Sequence, residues 1–272
     1  MAVTLDDIKK LREMTKAGIA DCKKALTESN GDFDEAMKLI RERGQAIAAK
    51  RSDREAQEGC VLAGTNGGFA AIVAVKCETD FVAKNEDFVN LTKKVLGAVL
   101  ENQPSDIEAV KALQVDGMSI VDLIAERSGQ TGEKMELGAY EYLKGASVSA
   151  YNHQGNMLAS IVAFNESGVS SEVSKNIALQ VAGYSPIAID ENDVPEEIKE
   201  RELEIGREKA RQEGKPEAIL DRIAQGRLSK FYKESTLLAQ EFTMDEKITV
   251  GQYLQTQGAT VAGFKRLTLN QE

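Results

Sequence analysis

The feature that most restricts the fold is an internal repeat, because one hairpin-then-helix succession returns in a second stretch of the chain. In the first stretch Gly59-Cys60-Val61-Leu62-Ala63 and Phe69-Ala70-Ala71-Ile72-Val73-Ala74-Val75 flank Asn66-Gly67-Gly68. Asn and Gly tolerate the positive φ of a tight hairpin turn, so this segment predicts a β-hairpin. Asp87 to Leu100 follows, with Phe88, Leu91, Val95 and Leu96 at helical spacing. In the second stretch Ser147 to Tyr151, a turn at Asn152-His153-Gln154-Gly155, and Leu158 to Phe164 precede a helix from Ser170 to Gly183. Ala71-Ile72-Val73-Ala74-Val75 aligns with Ser160-Ile161-Val162-Ala163-Phe164. Two copies, and not the array of a solenoid, predict an α+β core of antiparallel hairpins packed with helices. Between them Ser105 to Leu113 and Ser119 to Arg127 read as helices, and Met135 to Leu143 as a strand beside the second hairpin. The copies differ at one place. The first joins strand to helix through the longer Cys77-Glu78-Thr79-Asp80-Phe81-Val82-Ala83-Lys84, the second through Asn165-Glu166-Ser167-Gly168.

Two flanking units complete the chain. Thr4 with Asp7 forms a capping box ahead of Leu5, Ile8, Leu11 and Arg12, and after Thr15 to Gly18 a second helical pattern carries Ile19, Cys22, Ala25 and Leu26. Asn30-Gly31 stops it, Asp32 with Glu35 opens a third helix carrying Phe33, Ala36, Met37 and Ile40, and Gly44 sits where a C-cap glycine is expected. Gln45 to Glu58, polar and charged, reads as a helix tail or linker. Glu196 to Gln212 and Glu217 to Tyr232 are charge-rich helical stretches separated by Gly214-Lys215-Pro216. Ile198, Ile205, Ile219, Leu220, Ile223, Leu228 and Phe231 give them a narrow apolar seam, which predicts a protruding antiparallel arm. The divisions expected are 1–56, 57–140 and 141–272, with the arm at about 194–233.

Charge and composition limit the function. The 34 basic against 44 acidic residues leave a net charge of −10, which opposes nucleic-acid and anionic-membrane binding, and the chain has no Trp for base stacking. A single histidine, His153, excludes multi-His metal sites and leaves any catalytic triad one residue to run through. Cys22, Cys60 and Cys77 include no C-x-x-C pair and read as reduced structural thiols. The start MAVTLDD has no signal-peptide pattern, and the longest apolar stretch, Phe69 to Val75, is short of a membrane span. A cytoplasmic protein without membrane contact is expected. No phosphate-binding loop, dinucleotide fingerprint, nucleophile elbow or H-E-x-x-H motif is present, and no cofactor or metal site is expected.

Thr79-Asp80-Phe81 interrupts the duplicated pattern with a ring next to a carboxylate, and two readings stand. Phe81 tucks into the local core while Asp80 caps the next helix, or the pair is an exposed wedge for a partner. Asp21, Lys23 and Lys24 read as a solvated face, and His153 as a polar turn residue.

Arg12-Glu13-x-Thr15-x-Ala17-Gly18-x-x-Asp21-Cys22-Lys23-Lys24-Ala25-Leu26, followed by Thr79-Asp80-Phe81-Val82-Ala83-Lys84, closely resembles the bacterial translation elongation factor Ts family, the nucleotide-exchange factors of elongation factor Tu. The resemblance spans nearly the whole chain. It implies a three-helix start like a ubiquitin-associated domain, a two-copy core and a helical arm, in this order. It assigns docking on the partner to Arg12, Ile19 and Lys23, a core contact with the partner to His153, and disturbance of the partner's Mg²⁺ site to Thr79, Asp80, Phe81 and Val82. It implies binding to GDP-bound and nucleotide-free elongation factor Tu, no covalent chemistry, and an arm used for self-association or partner contact. Lys16 and Ala20 depart from the family pattern, which usually has Gly and Met there, and a protein without the C-terminal helical module of some members is expected. The competing classes are a non-catalytic adaptor, indifferent to the partner's nucleotide, and an enzyme with an acidic site.

Overall fold

Capping and glycine placement fix the first three helices. The computed structural model describes residues 3–15, 17–51 and 53–270, so Lys16 lies outside the described residues. Thr4 and Asp7 cap α1 (Leu5–Thr15) reciprocally: the Asp7 N–H donates to Thr4 Oγ1 at 3.2 Å and the Thr4 N–H to Asp7 Oδ2 at 3.0 Å. Helix α2 (Ile19–Glu28) ends where Asn30 and Gly31 take φ of 53° and 87°, and Asp32 accepts the Glu35 N–H at the start of α3 (Phe33–Lys50). Ile8, Leu11, Cys22, Ala25, Leu26, Ala36 and Ile40 form their shared core. Gly44 is inside α3, not at its end, and the helix consumes the first part of the expected linker.

Strands β1 (Glu58–Asn66) and β2 (Phe69–Cys77) pair antiparallel about Gly67-Gly68, with Gly67 at φ 58°. The chain continues through α4 (Asp80–Ala83), α5 (Glu86–Asn102), α6 (Ile107–Ala112), the short pair β3 (Gln114–Val115) and β4 (Met118–Ser119), α7 (Ile120–Thr131) and β5 (Met135–Lys144). Strand β5 pairs antiparallel with β2, not beside the second hairpin as its sequence suggested, and it runs through the 140/141 division. The second hairpin, β6 (Ser147–Asn152) and β7 (Leu158–Phe164), leads into α8 (Ser171–Tyr184), α9 (Glu196–Gln212), α10 (Leu220–Ser235), β8 (Glu241–Phe242), β9 (Asp245–Thr249), α11 (Val250–Gln257) and β10 (Val261–Thr268). Strand β10 fills the place beside β7 that the sequence reading gave to β5.

The duplication is therefore deeper than the hairpin. Each copy is a hairpin, a helix, an insertion, a second two-stranded pair, a capped helix and a third strand, giving sheets of order β1-β2-β5 and β10-β7-β6. Helices α7 and α11 are N-capped by Ser119 and Thr249 and end at left-handed Gly132 and Gly258. One face of each sheet carries its helices: Phe88, Val95 and Val99 of α5 with Ile120 and Ile124 of α7 on the first, Ile177 and Val181 of α8 with Val250 and Leu254 of α11 on the second. The other faces meet through Val61, Ala63, Ile72, Ala74, Ala159 and Ile161. Asn152 joins them, its Oδ1 accepting the Ala63 N–H at 2.7 Å and its Nδ2 donating to the Ala63 carbonyl at 2.9 Å, as a neighbouring strand would.

The arm is α9 against α10. Leu220 and Leu228 of the expected seam are buried, and small residues set the close approach: Gly206 and Ala210 are buried with Ala224, and a Cβ on Gly206 would stand 3.0 Å from Ala224 Cα. Ile205, read as seam, is 36% exposed. Arg207 with Asp221 and Arg227 with Glu213, both at 2.7 Å, bridge the two helices.

Helix α3 rests on α7, and this contact sets the first three helices on the core. Gly44 and Gly129 face each other there, which explains the glycine that resembled a stop. Gln45 Nε2 donates to Asp122 Oδ1 at 3.1 Å, Gln130 Nε2 to the Thr15 carbonyl at 2.6 Å, and Arg41 lies 3.6 Å from Glu126.

Candidate functional site

Where β2 ends, the chain turns outward. Thr79, extended at φ −125° and ψ 153°, caps the single turn α4 by accepting the Val82 N–H. Four residues cannot form an independently stable helix, so neighbours must hold this turn. Ala83 is buried and Val82 packs on the core of the first copy. The Glu133 carboxylate, just past the left-handed Gly132 that ends α7, accepts the Thr79 N–H at 3.1 Å and the Thr79 hydroxyl at 2.7 Å. The Glu78 carboxylate accepts the Lys134 N–H at 2.6 Å and Nη1 of Arg54 and Arg51 at 2.9 and 3.1 Å. The Lys134 N–H and then the arginines hold the Glu78 carboxyl down to about 2. Arg51 and Arg54 lie in the segment after α3, so this one carboxylate ties the turn to both the core and the chain from the first three helices.

On this platform Phe81 is 84% exposed. Asp80 begins α4 and pairs with Lys84 at 2.6 Å, a hydrogen bond that lowers the Asp80 carboxyl below its usual range. The reading in which Phe81 tucks into the core and Asp80 caps the following helix is therefore corrected. Thr79 caps α4, and Asn85 caps α5 by accepting the Asp87 N–H at 2.9 Å. Leaving the ring in water forgoes the roughly 1.5–3 kcal/mol that burying such a side chain contributes.

The other expected site residues stand on separate surfaces. Ile19, the first residue of α2, is 56% exposed, and exposed Lys23 lies one turn on along the same face, with Ala20 also exposed. Arg12 of α1 lines a groove with Lys9, Glu13, Asp87, Arg127 and Gln130. His153 stands exposed at the β6–β7 turn, Nδ1 3.1 Å from the Tyr151 hydroxyl. The structure thus joins Thr79, Asp80, Phe81 and Val82 in one turn and puts Ile19 and Lys23 on one helix face, while His153 belongs to the other copy.

Sequence reasoning missed Glu78, Glu133, Arg51 and Arg54. Glu78 adjoins the motif and could have been found by that adjacency, whereas Glu133 carries no local signal. Cys77 lies beneath the turn; burial pushes its thiol up to about 12, and its S–H donates to the Thr79 carbonyl at 3.3 Å, which is structural and not reactive chemistry. Among the described residues no group of three or more His, Cys, Asp or Glu side chains is arranged to hold a metal ion, and no helix is long and apolar enough to cross a membrane.

Comparisons with known proteins cover the whole chain. A family model described as elongation factor TS matches residues 78–271. A protein called elongation factor Ts from Porphyromonas gingivalis is 56% identical over 273 residues, with 99% of each chain covered. The elongation factor Ts of Azobacteroides pseudotrichonymphae is 54% identical and that of Bacteroides fragilis 43%, each with 100% of both chains covered.

Proposed function

This chain belongs to the elongation factor Ts family, and from that premise we propose that it is a cytoplasmic guanine-nucleotide exchange factor that binds elongation factor Tu carrying GDP and releases the nucleotide. In this reading residues 1–56, like a ubiquitin-associated domain, dock on the partner through Arg12, Ile19 and Lys23. The two core units bring Phe81 to the partner's nucleotide-binding domain, and His153 makes a second contact. A GTP-binding domain holds GDP through phosphate-loop amides and a Mg²⁺ bridging protein and phosphate oxygens. The Phe81 ring inserts between helices of the partner, flanked by Thr79 and Val82, while Asp80 fixes the arrangement. The groups supporting the metal site then shift, and GDP and Mg²⁺ are loosened without the ring touching either. The arm, which the family resemblance gives to self-association or to the partner, lies outside this mechanism.

The observation that carries the reading is the 84% exposure of Phe81 on a turn held by two carboxylates. Binding is reciprocal: whatever factor the protein removes from GDP affinity, GDP removes from the protein's own affinity, so GTP reloading expels it. A desolvated aromatic anchor supplies roughly 2 kcal/mol, which corresponds to about thirtyfold in release rate. The test is stopped-flow release of fluorescent GDP from elongation factor Tu. Phe81→Ala should lower the stimulated rate by about that factor and change folding stability by less than about 0.5 kcal/mol. Unchanged release would refute the assignment. Failure of the unaltered protein to accelerate release while binding both nucleotide states alike would make it an adaptor.

A further inference from the structure

The two copies close the junction between second strand and third strand in a related way. In the second, the Glu166 carboxylate accepts the N–H and the hydroxyl of Thr260, both at 2.7 Å. The registers Cys77 to Met135 and Phe164 to Val261 make Lys134 and Thr260 equivalent, each one residue ahead of its third strand. Glu78 accepts the Lys134 N–H as Glu166 accepts that of Thr260. A carboxylate on this backbone N–H is thus common to both copies and serves the fold. The first copy adds Glu133 on Thr79, and Arg51 and Arg54 on Glu78. The second copy adds instead the Asn165 amide on the Thr260 hydroxyl at 2.8 Å, and the bonds that reach the segment after α3 fall in the copy that carries the exposed ring.

Resting on the exchange reading above, we infer that Glu78 and Glu133 are positioning residues for exchange: they keep the α4 turn from folding back, and Glu78 couples it through Arg51 and Arg54 to the docking helices. A phenyl ring on an unsupported four-residue turn lowers its free energy by lying down on the nearest apolar surface, which would withdraw it from a partner. Charge-assisted bonds to both carboxylates oppose that collapse. Because Arg51 and Arg54 follow α3 directly, docking of the first helices and presentation of Phe81 become a single rigid movement.

The experiment measures fluorescent-GDP release from elongation factor Tu against the concentration of the full-length protein, separating the plateau rate from the half-saturating concentration. The variants are Glu78→Gln, Glu133→Gln and the pair Arg51→Gln, Arg54→Gln, the last altering side chains that are 30% and 58% exposed. Each should lower the plateau about tenfold, less than the roughly hundredfold that misplacement by a full ångström can cost elsewhere, with half-saturation within about twofold. Combined with Phe81→Ala they should cause no further loss, because they act through that ring. Glu166→Gln, the same kind of bond in the copy without a ring, should leave the plateau unchanged. The inference is overturned if the arginine pair releases GDP like the unaltered protein, if losses multiply in the Phe81→Ala background, or if Glu166→Gln slows release equally. If the unaltered protein fails to accelerate release, the exchange reading falls and this inference with it; if it succeeds and the variants match it, only this inference falls.

Discussion

Helices α3 and α7 meet at two glycines whose replacement should have opposite effects. A Cβ on Gly129 would point into Gly44, standing 2.9 Å from its carbonyl carbon and 3.0 Å from its oxygen, and closer still to its Cα. Relief requires the helices to part by well over the 0.5 Å between 2.9 and an ordinary 3.4 Å, because the Gly44 Cα is the nearest atom, and neither side is a flexible side chain that could yield. A Cβ on Gly44 instead meets Gly129 Cα at 3.5 Å, an ordinary contact. Both substitutions gain the roughly 1 kcal/mol by which alanine exceeds glycine in a helix interior. Gly129→Ala must set against this an overpacking cost of about 1–3 kcal/mol, and parting the helices stretches the Gln45–Asp122 and Gln130–Thr15 bonds. The expected net is a loss of up to about 2 kcal/mol for Gly129→Ala and a gain of up to about 1 kcal/mol for Gly44→Ala. Urea denaturation followed by circular dichroism measures both, and hydrogen exchange should show loss of protection concentrated in α3 and α7 for Gly129→Ala. Equal stability of the two variants, or a loss in Gly44→Ala as large as in Gly129→Ala, would refute the argument.

Two further outcomes follow from the junctions. The Glu78 carboxyl, near 2 in the folded chain against an ordinary 4.5, stabilises fully above pH 4.5 and loses that contribution as pH falls through 2. The shift alone corresponds to about 3 kcal/mol; with Glu78 15% exposed and the arginines more so, we expect about 1–2 kcal/mol at pH 7. Urea titrations of the protein and Glu78→Gln should converge toward pH 2, and a difference independent of pH would count against the bonds described. Asn152→Ala should cost about 1 kcal/mol by freeing the Ala63 N–H and carbonyl. Asn152→Asp should cost at least as much, because a carboxylate cannot donate to the Ala63 carbonyl, and calorimetry finding Asn152→Asp as stable as the unaltered protein would exclude the strand-like role.

Local chemistry made much of the fold legible. The Asn66-Gly67-Gly68 turn, the Thr4–Asp7 box and the Asn30-Gly31 stop are settled within a few residues, and all three read correctly. Pairing is settled at a distance, and there the sequence misled. Strand β10 interrupts its apolar pattern with Gly263, Lys265 and Arg266, so it did not read as the partner of β7, and β5 was matched to that vacancy. Gly44 ends an apolar run as a C-cap glycine does, but its missing side chain serves a helix met much later in the chain. The arm showed its helices and part of its contact, Leu220 and Leu228, but not the close approach, since Gly206 and Ala224 carry little weight in a count of apolar spacing.

The candidate site was legible as an irregularity in the repeat and in the resemblance carried by residues 79–84, and the duplication explains why that irregularity is free to vary. The apolar positions that build the sheets and their helices recur in both copies, so they answer to packing. The connection between second strand and helix lies outside both sheets: residues 78–85 in the first copy and 165–170 in the second. Closing eight residues in place of six costs only about 0.3 kcal/mol of loop entropy, and the second copy folds with the shorter one. The longer connection is therefore not demanded by the fold, and its residues are free to answer to a partner. Phe81 spends that freedom on exposure, which is intelligible only because Glu78 and Glu133 hold the turn from which it projects. Those two acids are indistinguishable by type among the chain's 44 Asp and Glu, and only their placement across the junction sets them apart. An exposed ring can thus be found where a repeat breaks, while the residues that support it become visible only when strand ends are brought together.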